Sequence, residues 1–218
     1  MVDWSDNCAG TRLNMVRAQL RSRGIRHEGL LAAFTDLPRE LFVPECSVQA
    51  AYEDRPLAIG HGQTISQPYV VALMIEELGP RPSDRVLDVG AGSGYQTALL
   101  SRLCEHVYAV ERIEELARRA QGVLGRLGIS NVTFCIRDGS VGWAEQAPFD
   151  RIICGAGVPE VPGAWIDQLA DGGRIVAPVG QGEVQTLVVV DRLGGRTRRR
   201  ELCPVRFVRL IGQQGWAE

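Results

Sequence analysis

The spacing of apolar residues changes partway along the chain. From Leu13 to about Gly79 they recur every three or four positions, the period of an amphipathic helix. "LNMVRAQLRSRG" puts Leu13, Val16 and Leu20 on one face, with Gly24 as the stop. "EGLLAAFTDL" predicts a second helix ending before Pro38. "QPYVVALMIEELG" predicts a third, with Pro68 in the first turn and Gly79 at the end. From Arg85 onward, short apolar runs alternate with helical ones. "RVLDVG", "HVYAVE", "NVTFCI", "FDRIICGA", "RIVAPVG" and "VQTLVVVDR" predict strands, and "CPVRFVRLI" a last one. "YQTALLSRLC", "IEELARRAQGVLGRLG" and "AWIDQLADGG" predict the intervening helices. This alternation implies a mostly parallel sheet covered on both faces. The late strands, joined by "LGGR", predict an added hairpin. The expectation is one α/β domain over residues 15–218, with a helical N-terminal portion to about residue 80. Residues 1–14 are read as a tail that need not be ordered.

Composition removes several classes of function. Lys plus Arg number 24 and Asp plus Glu 26, a net charge of −2 over 218 residues. The densest basic run, Arg196 to Arg200, follows a Gly-Gly turn and is read as a solvated hairpin tip rather than a nucleic-acid stripe. The six cysteines include no C-x-x-C pair, and no histidine cluster stands near them, so no metal site is expected. Cys135 and Cys154, in or beside apolar runs, read as buried reduced thiols. No apolar run approaches the ~20 residues of a membrane span. The first residues carry neither a basic n-region nor an apolar h-region, so a cytoplasmic location is expected.

Chemistry enters with "VLDVGAGSGYQ", which follows the first strand of the alternating region. Gly90, Gly92 and Gly94 remove side chains where a ligand approaches backbone. The dinucleotide fingerprint needs a glycine where Tyr95 stands, and a bulky residue there opposes a pyrophosphate seat. Glu111 ends the second strand, about 20 residues after the loop, where a carboxylate can accept both ribose hydroxyls. Asp138-Gly139 follows the third strand. A lone glycine loop is as often a plain tight turn, and a lone strand-end glutamate is commonly solvated; the three signals in order are specific. With Asp88 just before it, the G-x-G-x-G form resembles that of S-adenosylmethionine-dependent methyltransferases of the Rossmann-like class. That likeness implies a seven-stranded Rossmann-like fold and S-adenosyl-L-methionine as cofactor, with Asp88, Gly90, Gly92, Ser93, Glu111, Asp138 and Gly139 around it and an acidic residue reaching the adenine amino group.

The stretch "HGQTISQPYVVALM" raises a separate question, because nine residues from His61 to Tyr69 carry hydroxyls and amides but no formal charge with His neutral. They empty into a helix start, where backbone N–H groups favour an anion. "YEDRPLAIGHGQTISQPYVVALM", "VLDVGAGSGYQTALLS", "VYAVERI", "DGSVGWAEQAPFDRIICGAGVPEVP" and "LADGGRIVAPVG" together resemble protein-L-isoaspartate O-methyltransferases, from about Met15 to Trp216. The resemblance implies methyl transfer to the free carboxylate of L-isoaspartyl residues in damaged proteins and peptides, with repair following through a succinimide. It gives Ser66 the active-site role, with Thr64 and the backbone around Ile65 completing a substrate cradle, and Gln63 and Thr64 on the cofactor side. It implies neither a nucleic-acid nor a membrane partner, and a monomer is expected.

Such a reaction needs no general base, since a carboxylate with a pKa near 4 is already ionised at pH 7. Neutral donors can orient that anion without the strong hold of an ion pair. Ser66 has a second reading as the N-cap of the helix after Pro68. His61 is read as structural or exposed, and Trp143 as packing beneath the loop. Arg137, Ser140, Arg209 and Ile211 depart from the family pattern. Two rival readings stand beside this one: a related methyltransferase acting on a small molecule or RNA, and a non-catalytic module on the same fold.

Overall fold

The computed structural model describes residues 8–43 and 48–217. Ala9–Met15 (α1) runs into a π-helical stretch, Val16–Leu20, and a 3-10 turn, Arg21–Arg23, before Gly24 stops it in the left-handed region. Glu28–Asp36 (α2) and the short Val48–Ala51 (α3) follow. The hairpin Leu57–Gly60 (β1) and Gln63–Ile65 (β2) leads into Pro68–Leu78 (α4), which Gly79 ends at φ 59°. Arg85–Val89 (β3), Tyr95–Ser101 (α5), His106–Glu111 (β4), Glu114–Arg126 (α6) and Val132–Ile136 (β5) come next. Phe149–Cys154 (β6), Gly163–Gln168 (α7), Leu169–Val179 (β7), Gln185–Leu193 (β8) and Arg196–Val205 (β9) complete the order.

The main sheet has seven strands in the order β5-β4-β3-β6-β7-β8-β9. The first five in that order pair in parallel; β8 and β9 are antiparallel additions. Alternation along the strands divides the core. Val86, Val107, Ile153 and Val176 point toward α2, α4, α5 and α6. Leu87, Val89, Val110, Ile152 and Ile175 point toward Trp143 and Trp165 on the opposite face. This is the expected Rossmann-like architecture, with the N-terminal helices packed on one face.

Five expectations change in detail. Residues 1–7 lie outside the described residues, but the tail proposed for residues 1–14 is helical from Ala9. Leu13 is 37% exposed while Met15, Val16 and Leu20 are buried. The π-helical turn explains this, because its wider winding breaks the 3.6-residue phase on which the predicted face depended. The "LADGG" end of the predicted helix belongs to β7. Arg192 of β8 donates to the carbonyls of Ile166 (2.8 Å) and Leu169 (2.7 Å) as α7 gives way to β7. "RTRRR" is the start of β9 rather than a tip. The turn is Gly194-Gly195 alone, at φ 58° and 72°, which matches a two-residue hairpin connection. The strand expected over "CPVRFVRLI" ends at Val205, and residues 206–211 continue as an extended segment crossing the strand ends, bridged at Gly157 and Arg209.

All 24 basic residues are arginine. Their planar forks reach backbone carbonyls across elements: Arg119 to Ile59 (2.5 Å), Arg174 to Glu77 (2.8 Å) and Arg39 to both Ala51 (2.8 Å) and Ser66 (2.7 Å).

Candidate active site

The parallel strands end on one side of the sheet, and the site forms there. Gly90 and Ala91 donate to the Val110 carbonyl of the neighbouring strand at 2.9 and 3.2 Å, and Gly155 donates to Val89 at 2.8 Å. These bonds fix the glycine loop against the ends of β4 and β6. Gly90 and Gly92 adopt φ 74° and 54°, where side chains are disfavoured. Glu111 is buried at the end of β4. One of its oxygens accepts from Gly92 N–H and the other from Ile113 N–H, both at 2.9 Å. Each oxygen keeps acceptor capacity, and Glu111 lines a cavity of about 70 Å³ with Gln63, Thr64, Gly90, Gly92 and Ile211. An oriented carboxylate with spare acceptor capacity, beside glycines that leave the backbone bare, fits the hydroxyls of a ribose and its attached chain, so the residues present fit S-adenosyl-L-methionine.

Asp88 is placed differently from its expected role. It is fully buried, and its oxygens accept from Gln96 (2.8 Å) and the Thr97 hydroxyl (2.6 Å). Burial pushes its carboxyl up to about 6, against the lowering effect of those two donors, and the nearby Glu111 charge adds to the rise. Asp88 therefore positions the first turn of α5 and does not face the cavity. Gln96, which sequence reasoning did not single out, faces the adjoining space. Held by Asp88, it lines a space of about 30 Å³ with Thr64, Ser66, Gly90, Gly92 and Ser93. A polar residue one position into a helix that starts at strand ends is the signal that was available.

Asp138 also has partners of its own. Its oxygens accept from Ser140 N–H (2.8 Å) and Gln213 N–H (2.7 Å). Burial raises its pKa, but the Gln213 and Ser140 donors outweigh that and leave it below the ordinary value. The C-terminal segment thus docks on Asp138, and at Gly212 a Cβ would fall 2.0 Å from its Oδ1, so only glycine fits. Asp138 still lines a cavity of about 390 Å³ with Arg112, Ile136, Arg137, Ile211 and Trp216. Gly139 is buried against Val89, and its carbonyl accepts from Trp165 Nε1 at 2.9 Å. It serves packing and lines none of these cavities. Ser140 is buried, and its hydroxyl accepts from Gln214 N–H at 2.9 Å.

The β1–β2 hairpin brings the uncharged loop to the same place. The Ile65 side chain is buried in the core, which leaves its backbone as the part that can serve a ligand. Thr64 and Ser66 line both the 30 Å³ space and a groove of about 420 Å³ outside it. Ser66 is not the N-cap of α4; Gln67 is, and it makes no side-chain cap bond. The loop is held from behind. Arg39, fully buried, donates to the Ser66 carbonyl. Asp54 accepts from the Gln67 amide (2.7 Å) and Tyr69 N–H (3.2 Å) and pairs with Arg23. His61 sits at the hairpin tip with its Nε2 3.0 Å from Glu115 and lines none of the three spaces that hold Thr64. Trp143 packs edge-to-face on Tyr108, as expected of a core aromatic. Cys154, beside the site, donates to the Ala156 carbonyl, and burial pushes its thiol up to about 12, which leaves no thiolate for chemistry. Among the described residues no group of three or more His, Cys, Asp or Glu could hold a metal ion.

The cavities share residues end to end: Ile211 and Arg112 join the first two, Thr64, Gly90 and Gly92 the next, and Thr64 and Ser66 the last. They form one trough from Trp216 past Glu111 to Ser66 and out to Phe207.

Comparison with known proteins gives consistent results. The model of the family protein-L-isoaspartate(D-aspartate) O-methyltransferase matches residues 11–215. A protein-L-isoaspartate O-methyltransferase of Pelotomaculum thermopropionicum is 51% identical over 97% of this chain and 93% of its own. One of Methanoculleus marisnigri is 50% identical over 97% of this chain and 96% of its own. A solved protein-L-isoaspartate O-methyltransferase superposes with a TM-score of 0.86 at 31% identity, covering 94% of this chain and 67% of that one. A Plasmodium falciparum beta-aspartate methyltransferase, solved with S-adenosyl-L-homocysteine, gives 0.80 at 26% identity, covering 92% and 98%.

Proposed function

The chain belongs to the protein-L-isoaspartate(D-aspartate) O-methyltransferase family, and from that premise we propose how its site divides the work. The reaction is methyl transfer to the free carboxylate of L-isoaspartyl residues in damaged proteins and peptides. The methyl ester then closes to a succinimide, which opens the way to repair. S-adenosyl-L-methionine, when bound, supplies a methyl group already activated by its sulfonium. Glu111 and the Gly90–Gly92 backbone would hold the cofactor's ribose and chain, with Gln63 and Thr64 beside them. Ile211 and the Asp138–Trp216 end would enclose its adenine.

Ser66, Thr64 and the backbone at Ile65 take the substrate carboxylate. That anion is the nucleophile, so no residue has to remove a proton. The protein's task is to fix the carboxylate in line and to exclude water. The observation that carries this assignment is that Thr64 and Ser66 line both the inner space beside the glycine loop and the outer groove. That shared lining supports a reading in which an outside peptide meets the cofactor site at these two hydroxyls.

The same reading takes the chain as a cytoplasmic monomer that does not require nucleic acid. Its support is the near-balanced charge and the absence, among the described residues, of a helix long and apolar enough to cross a membrane. The assignment of Ser66 is tested by Ser66→Ala. Turnover on an isoaspartyl peptide should fall by about one to two orders of magnitude, while S-adenosyl-L-homocysteine affinity in calorimetry stays within about twofold. Equal loss in both, or loss in neither, removes Ser66 from the substrate side.

A further inference from the structure

The groove outside Ser66 has a chemical character of its own. Its walls include Pro56, Val70, Val184, Pro204 and Phe207, and its volume is about 420 Å³, room for several side chains beyond a single carboxylate. Val184 is 48% exposed, unusual for a valine, and faces this groove. One formal charge lines it: Arg206, exposed, just past the end of β9. No ion pair of Arg206 is found among the described residues, whereas several other arginines are engaged. Arg23 pairs with Asp54, Arg55 with Glu53 and Arg200 with Glu77. Glu183 neighbours Val184 in sequence but is not part of the lining.

We propose that this groove reads the residues flanking the isoaspartyl position, and that Arg206 makes the enzyme favour peptides with an acidic side chain there. The inference rests on the family reading above and adds a substrate preference to it. An extended chain rises about 3.3 Å per residue, so the two residues on either side of the isoaspartyl group are those within reach. An apolar wall gives little discrimination among them. A cation with no ion pair among the described residues attracts a carboxylate and repels an ammonium, and for a partly exposed pair this amounts to a few-fold in each direction.

The test uses isoaspartyl peptides that are identical except for Glu or Lys, placed in turn at each of the two positions before and after the isoaspartyl residue. At one or more positions the Glu peptide should show at least fivefold higher kcat/KM at low salt, and the ratio should shrink toward one in 0.5 M salt. Arg206→Glu should invert the ratio, and Arg206→Gln should bring it near one. Cofactor affinity measured on both variants reports that each is folded. A ratio within twofold at all four positions, or one unchanged in Arg206→Glu, overturns the proposal. Methylation of none of the peptides by the wild-type protein would instead overturn the family reading on which it rests.

Discussion

The two walls of the trough are held together by different kinds of bond. On the sheet side, the glycine loop and Glu111 are fixed by backbone bonds between adjacent strand ends, such as Gly90 to Val110 and Gly155 to Val89. On the hairpin side, the Ser66 loop is fixed by side chains from distant parts of the chain. Arg39 reaches Ser66 across 27 residues, Arg119 reaches Ile59 across 60, and Asp54 gathers Gln67, Tyr69 and Arg23. A wall built on a parallel ladder takes most of its bonds from backbone, so outside the glycines and Glu111 no one side chain holds it. A wall built on single side-chain staples depends on each of them.

The largest effect that sharpens this contrast is expected at Arg39. Arg39→Met leaves the carbonyls of Ala51 and Ser66 without their buried donor, at about 1–3 kcal/mol each. Thermal unfolding should show a loss of roughly 2–5 kcal/mol, with Arg39→Lys intermediate, since an ammonium cannot span both acceptors. Stability equal to wild type would mean that the hairpin wall does not depend on that staple.

Asp88 tests the other wall through pH. Its native carboxyl is raised from 3.8 to about 6. A group raised on folding contributes stability that is fully present below its unfolded pKa and lost as pH rises through its native one. Relative to Asp88→Asn, which does not titrate, the wild-type protein should therefore lose roughly 1–3 kcal/mol between about pH 4 and 7, at ~1.4 kcal/mol per unit. A constant stability difference across that window would place the Asp88 titration elsewhere. Next in size, Glu111→Ala should weaken S-adenosyl-L-methionine binding by about 2 kcal/mol, the worth of charged hydrogen bonds, with peptide KM little changed. Calorimetry showing intact affinity in a folded variant would move the ribose away from Glu111. The smallest effect is expected at His61, which meets Glu115 at the hairpin tip. His61→Ala should leave turnover between about pH 7 and 8 within twofold of wild type and flat, as a reaction without a general base requires.

The same contrast explains what could be read from the sequence. β3 to β6, their helices, the glycine loop and Glu111 follow from local periodicity and spacing, because a strand-loop-helix unit carries its determinants within about 30 residues. Ser66 was legible only through the resemblance of "GQTISQP" to a family. Arg39 and Asp54 carry no local signal, since a lone arginine in "LPRELF" looks like any surface cation until the fold buries it. Asp138 reads as a cofactor-side residue, but nothing in "RDGS" reveals that Gln213, 75 residues on, also donates to it. "RTRRR" reads as a hairpin tip because it is charged and follows a Gly-Gly turn. Pairing with β8 places Arg200 opposite Val189 and within reach of Glu77, which fixes it as a strand.

The measurement that bears most directly on the whole account is transfer of labelled methyl from S-adenosyl-L-methionine by the wild-type protein to two peptides of one sequence, one with L-isoaspartyl and one with L-aspartyl at the same position, with an RNA control alongside. The account predicts base-labile label on the isoaspartyl peptide, with the aspartyl peptide and the RNA at background. Equal labelling of the two peptides, label on the RNA alone, or cofactor binding with no transfer to any acceptor would contradict it.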